Sequence, residues 1–243
     1  MRRKKIIILF IVLLSGGITA LYFSPFRTIL PGVRRNDLTV QNYRLEKDTL
    51  KKQHDALAKK WSTSDQEGKR GILTEAGKLF MNGLSDRLFQ YWFETDWDYN
   101  GTTEEPGTGS IACGYFVTTL LRDMGVKLDR SALAQCASEE MIKKLSEERN
   151  IHRFSNFSIV KFIEEIKKLG EGVYLTGLDN HTGFIICKDG SVDFVDSGGG
   201  VPARVQRREA LTAGLLVRSR YRVVAKISGD EKFLSHWLRN EKF

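Results

Sequence analysis

The stretch His181-Thr182-Gly183-Phe184-Ile185-Ile186-Cys187-Lys188-Asp189-Gly190-Ser191-Val192-Asp193-Phe194-Val195-Asp196 decides the fold. Asp189-Gly190 is a two-residue hairpin signal, since both positions of a type I′ turn need positive φ and Asp and Gly tolerate it. The flanking runs, 182–188 and 192–196, are rich in β-branched and aromatic residues and read as strands. With Asp189 and Gly190 as the loop, Lys188 pairs with Ser191, Cys187 with Val192, Ile185 with Phe194 and Gly183 with Asp196. Side chains alternate, so His181, Gly183, Ile185, Cys187, Val192, Phe194 and Asp196 share one face. Asp196 is then the diagonal neighbour of His181, about 7 to 8 Å away between backbones. Gly183 opposite it leaves the space open for the two side chains to meet. Cys187 lies roughly 20 Å along the strand from His181 at about 3.3 Å per residue, out of reach of the imidazole.

Outward from this hairpin, residues 173–178 and 221–227 have the same strand character, whereas everything before them is helical in pattern. Ile72, Ala76, Phe80, Leu84, Leu88 and Trp92 recur every four residues, with Leu73, Leu79 and Phe89 widening the stripe into the core face of a long helix. Residues 94–109 form a loop rich in Gly, Thr and acidic residues. A second helix starts near Ile111, buries Phe116, Val117, Leu120, Leu121 and Met124, and is closed by Gly125. Residues 161–169 form another short amphipathic helix. Helices first and strands second make an α+β domain. Residues 37–61 are polar, with Tyr43, Leu50 and Leu57 seven apart but Lys47 and His54 at the other seam positions, so they read as a stalk helix or a helix lying on the domain. The expected organisation is an N-terminal segment over 1–26, a stalk and helical region over 27–93, and the main domain over 94–243.

Of the +8 formal charge, four positive residues are Arg2, Arg3, Lys4 and Lys5, which leaves 34 basic against 30 acidic residues, a balance of +4, for the rest. The basic cluster precedes a charge-free stretch over 6–26, long enough to cross a bilayer as a helix, with the N-terminus in the cytoplasm and the rest outside. This segment reads as a signal-anchor or a cleaved signal peptide, the small residues Ser15, Gly16, Gly17 and Ala20 serving the second reading. The membrane is therefore an expected partner. Asn180-His181-Thr182 matches the loose glycosylation pattern and reads as a chance match; because a glycan on Asn180 would sit beside the site, a bacterial cell envelope suits the chain better than a eukaryotic secretory route. Arg204, Arg207 and Arg208, then Arg218, Arg220 and Arg222, lack interleaved aromatics beyond Tyr221 and read as solvated faces, so nucleic acid is not an expected partner. Gly198-Gly199-Gly200 lacks dinucleotide spacing, and Cys113, Cys136 and Cys187 form no CxxC pair, so neither cofactor nor metal is expected.

Cys113 carries the candidate chemistry. It sits where a Gly-containing loop hands over to a helix, in the first turn, where unpaired N–H groups and the helix dipole favour a thiolate and can receive an oxyanion. Cys136, beside Gln135 in a helical stretch, reads as packing.

Glu94-Thr95-Asp96-Trp97, Asn100-Gly101, Ala112-Cys113-Gly114-Tyr115-Phe116, Gly125-Val126-Lys127-Leu128-Asp129-Arg130, His181-Thr182-Gly183 and Phe194-Val195-Asp196-Ser197 resemble, in order and approximate spacing, the NlpC-type cysteine peptidases of bacterial cell-wall turnover. The resemblance covers about 94–227. It implies a papain-like α+β fold in which the nucleophile helix packs on an antiparallel sheet, with Cys113 as nucleophile, His181 as base, Asp196 as third residue, and Trp97 and Gly183 at oxyanion and substrate-binding positions. Where the family usually has Asp before the nucleophile, Ser after it, Tyr beside the oxyanion and His as third residue, this chain has Ala112, Gly114, Trp97 and Asp196. The expected function is an envelope thiol hydrolase that cleaves an amide bond of peptidoglycan stem peptides by a Cys-His-Asp triad. The alternatives are an acyltransferase with the same triad and a membrane-tethered binding module with an inactive peptidase fold.

Overall fold

The computed structural model describes residues 35–243. The expected membrane segment over 1–26 lies outside them, and among the described residues no helix is long and apolar enough to cross a membrane. Residues Asn36–Phe243 form one compact α+β unit. Its elements are α1 (Arg35–Thr63), α2 (Gln66–Asn82), a π-helical segment (Gly83–Leu88), α3 (Phe89–Trp92), α4 (Cys113–Asp123), α5 (Arg130–Gln135), α6 (Ser138–Leu145), β1 (Ile151–Ser155), α7 (Ile159–Leu169), β2 (Gly172–Leu178), β3 (Thr182–Lys188), β4 (Ser191–Gly198), β5 (Arg204–Glu209), α8 (Gly214–Arg218), β6 (Tyr221–Ala225) and α9 (Glu231–Leu238). All strand pairs are antiparallel, in the order β1-β6-β2-β3-β4-β5.

Apolar side chains leave both faces of this sheet. Phe184, Ile186, Val195, Val173 and Leu175 join the larger core with the helices before residue 124, while Ile185, Cys187, Val192, Phe194 and Tyr174 face Phe162 and Ile166 of α7. The alternation read from the sequence is thus the partition between two cores. The hairpin register is also as expected, Lys188↔Ser191, Cys187↔Val192 and Ile185↔Phe194, with positive φ at Asp189 (51°) and Gly190 (76°).

The helices before residue 94 share the larger core with the rest. Tyr43, Leu50 and Leu57 of α1 are buried, and so is His54, whose Nε2 meets the Trp237 carbonyl at 2.9 Å. The helix therefore lies on the domain. The four-residue stripe from Ile72 to Trp92 is continuous because of the π-helical segment. A row at every fourth residue drifts around a 3.6-residue helix, and one wider turn brings Leu84 and Leu88 back to the core face.

Two strands escape the sequence reading, β1 and β5, and with them the meaning of the arginine clusters. Arg204 and Arg207 are paired across the surface with Glu94 and Asp193. Arg222 is 1% exposed, donating to the carbonyls of Leu216, Phe157 and Val217. Arg222 is a sheet fastener where a solvated face is expected, because a guanidinium can close several backbone acceptors at once, whereas Arg207, Arg218 and Arg220 are exposed as expected.

The C-terminal helix is tied to the sheet by one carboxylate. Asp230, fully buried, accepts from Phe233 N at 2.9 Å, capping α9, and from Glu147 N at 3.1 Å and Asn150 Nδ2 at 2.9 Å. Asp230→Ala strands three donors, so a loss of about 2 to 4 kcal/mol is expected from urea unfolding. A change under about 0.5 kcal/mol would show that water replaces these bonds.

Candidate active site

The site lies where the open end of the β3–β4 hairpin meets the start of α4. Ala112 is the helix N-cap, extended at φ −77° and ψ 158°, and its carbonyl accepts from Phe116 N at 2.8 Å. An alanine has no side-chain oxygen with which to cap, so the first-turn N–H groups stay available. Cys113 follows as the first helical residue. The segment before it is fastened to the sheet by Ser197 Oγ, which donates to the Ile111 carbonyl at 2.6 Å. Gly114 makes the approach to α5 close: a Cβ there would fall 2.2 Å from the Ala134 carbonyl oxygen.

His181 precedes β3, and its Nε2 meets Asp196 Oδ2 at 2.8 Å, the contact that the diagonal register predicts. With Nε2 on the carboxylate, Nδ1 is the nitrogen left for the thiol. Cys113 and His181 line one cavity, and the thiol is acted on by the His181 ring and by the backbone N–H groups of Thr182 and Gly114. The structure therefore brings Cys113, His181 and Asp196 together at one site.

The electrostatics follow from these contacts. Burial pushes the Cys113 thiol up, but the His181 hydrogen bond and charge and the two N–H groups outweigh it and hold the thiol below its ordinary range. Burial pulls His181 down, yet the Asp196 and Cys113 hydrogen bonds and charges raise it to about 9. The charged forms of thiol and imidazole thus favour each other. Asp196 is fully buried, and its other oxygen, Oδ1, accepts from Arg208 Nη2 at 3.1 Å. Arg208 adds a counter-charge on the far side of the carboxylate, which a buried anion needs.

Gly183 is buried and acts on the triad from below. A Cβ there would lie 2.8 Å from the Val195 carbonyl oxygen and 2.9 Å from Phe194 Cζ, so its absence seats the Phe194 ring, whose centroid is 6.2 Å from that of His181. Trp97 is on another wall. Cys113 and His181 line a cavity of about 300 Å³, whereas Trp97 and His181 line a neighbouring one of about 360 Å³ that Cys113 does not reach. The Trp97 ring rests against Gly199, 2.8 Å from where a Cβ would stand. The oxyanion donors that the site offers are the N–H groups of Gly114 and Thr182, both of which lower the thiol.

Neither a family model, nor a curated protein, nor a solved structure matches this chain.

Three further residues lie at the site without a site role expected for them from sequence. Arg208 reaches Asp196 only because β5 pairs with β4, Phe194 lying opposite Arg208. Thr182 contributes its N–H, for which adjacency to His181 was the one available signal. Cys136 packs against the larger core, as expected, and in addition lines the Cys113 cavity, its thiol donating to the Leu133 carbonyl at 3.2 Å. The six-residue α5 ends one residue before it and turns that thiol toward the cleft. Among the described residues no group of three His, Cys, Asp or Glu side chains is arranged to hold a metal ion.

Proposed function

We propose that this chain is a papain-like, NlpC-type thiol hydrolase of the bacterial envelope that cleaves an amide bond in peptidoglycan stem peptides. The observation that carries the reading is the meeting of Cys113, His181 and Asp196 at one site, with the thiol lowered and the imidazole raised to about 9. A thiolate beside an imidazolium at a helix start is the resting state that acyl transfer to sulfur requires. The residue 6–26 segment would tether the domain on the outer side of the membrane.

The Cys113 sulfur attacks the amide carbonyl carbon, forming the C–S bond while the carbonyl electrons move to oxygen. The Gly114 and Thr182 N–H groups receive that oxyanion. His181 gives its proton to the amide nitrogen, the C–N bond breaks and the amine leaves. Water then attacks the thioester carbonyl and His181 takes its proton. The C–S bond breaks, releasing the carboxylic acid and restoring the thiolate. Asp196 holds the ring in one tautomer and steadies its charge throughout.

Incubating the full chain with stem peptides from digested peptidoglycan tests this directly. New free amine should accumulate, and rapid quenching should yield an acyl adduct on Cys113 by mass spectrometry. No amine and no adduct with any stem peptide would overturn the reading.

A further inference from the structure

The cavity on the Trp97 side of His181 carries chemistry that the triad does not use. It shares Leu178, Asp179, Asn180 and His181 with the Cys113 cavity, so the two adjoin and His181 belongs to the wall of both. In an acyl-enzyme the acyl half is bonded to sulfur and occupies the cavity that contains Cys113. The amine half, protonated by His181, leaves on the side that contains the imidazole without the thiol.

That side holds an uncommitted cation. Arg204, Arg207 and Arg208 each have a carboxylate partner, but Arg218, at the end of α8, has no ion-pair partner among the described residues. The one carboxylate in the cavity wall, Asp179, is spent on the start of β6: it accepts from Ser219 Oγ at 3.0 Å, Arg220 N at 2.8 Å and Tyr221 N at 3.0 Å. The Arg218 guanidinium is seated over Gly214, its Nη1 2.9 Å from where a Cβ would stand, so any side chain at 214 would displace it. Trp97 and Leu215 form apolar walls beside it, and Asn180 adds an exposed amide. A guanidinium in a concave site, with no internal acid free to take it, matches the forked geometry of a carboxylate.

The geometry points to this cavity as the seat of an anionic leaving group: Arg218 binds a carboxylate carried by the amine half of the substrate, a short reach beyond the scissile nitrogen. This rests on the thiol-hydrolase reading for its assignment of the two halves. It makes the substrate an acidic peptide with a free carboxylate on the leaving side, cleaved in preference to the same peptide as its amide.

Binding and turnover separate the two claims. In the full chain carrying Cys113→Ala, trialanine and trialanine amide are titrated by calorimetry at low salt. The carboxylate form should bind about tenfold more tightly, the size expected for a charge-assisted hydrogen-bonded pair. Arg218→Gln should erase the difference and Arg218→Lys keep part of it, and Arg218 is exposed, so neither change threatens the fold. Equal affinity for the two peptides, no binding of either, or a preference that survives in Arg218→Gln would overturn the site. Carboxylate-selective binding with no amine release by the unsubstituted chain would reject the hydrolase and leave the anion site standing. Amine release at equal kcat/KM from acid and amide peptides would do the reverse.

Discussion

Amide hydrolysis by the full chain is expected to fall by about 10⁴-fold or more when Cys113 is replaced by alanine, with the melting temperature nearly unchanged. The size follows from covalent chemistry: without sulfur there is no acyl-enzyme, and only the donors and the cavities remain to favour reaction with water. The unchanged fold follows from position. Cys113 is half-buried at a cleft wall and removes little packing when shortened, whereas its neighbour Gly114 cannot be enlarged without meeting the Ala134 carbonyl. Cys113→Ser should also be strongly impaired. A hydroxyl does not ionise beside His181, and the imidazole then loses one of the interactions that raise it to about 9. Release of amine at an undiminished rate by Cys113→Ala would place the chemistry elsewhere. Cys187, buried and pushed up by its burial, offers no substitute nucleophile.

How much of this was legible in the sequence depended on whether local patterning controlled the element. The His181–Asp196 contact was readable because Asp189-Gly190 fixes a register, and a fixed register fixes which side chains share a face. The nucleophile helix was readable for a similar reason, since its apolar stripe and Gly125, at φ 88°, bracket it. Strand β5 carries no such pattern. In Arg204-Val205-Gln206-Arg207-Arg208-Glu209 one residue of six is buried, because the strand is a sheet edge held by ion pairs on its exposed side. Its arginines consequently looked like solvent-facing charge, and Arg208 could not be connected to Asp196. Strand β1 fails likewise, with its central residue in surface ion pairs to Glu139 and Glu148. Trp97 illustrates a third case. Its loop is placed by long-range backbone bonds, Trp97 N to Ala203 O at 3.1 Å and Ile111 N to Asp96 O at 2.9 Å, which no local periodicity announces. A resemblance in residue order could put Trp97 near the reaction, but only those bonds assign it to the far side of the imidazole.

Alkylation of Cys113 by iodoacetamide should extend to lower pH in the unsubstituted chain than in His181→Ala, the difference being at least about tenfold in rate below the ordinary thiol range. The direction is fixed by the competing influences on the thiol. Burial raises it and is the largest single influence; the hydrogen bond and charge of His181 lead those that lower it. Removing the ring leaves burial opposed only by the Thr182 and Gly114 N–H groups, so the thiolate forms at higher pH. Hydrolysis needs more than the thiolate, because the amine leaves only when His181 can give it a proton. The thiolate exists above the lowered value of Cys113 and the imidazolium below about 9, so activity should form a plateau between these limits and fall on the alkaline side as pH passes about 9. Asp196→Asn keeps the side-chain shape but withdraws the charge that helps hold the imidazolium, so the alkaline limb should move to lower pH while alkylation at high pH persists. Superimposable alkylation profiles for the unsubstituted chain and His181→Ala would mean that sulfur and ring do not communicate, and the triad would then be a structural contact alone.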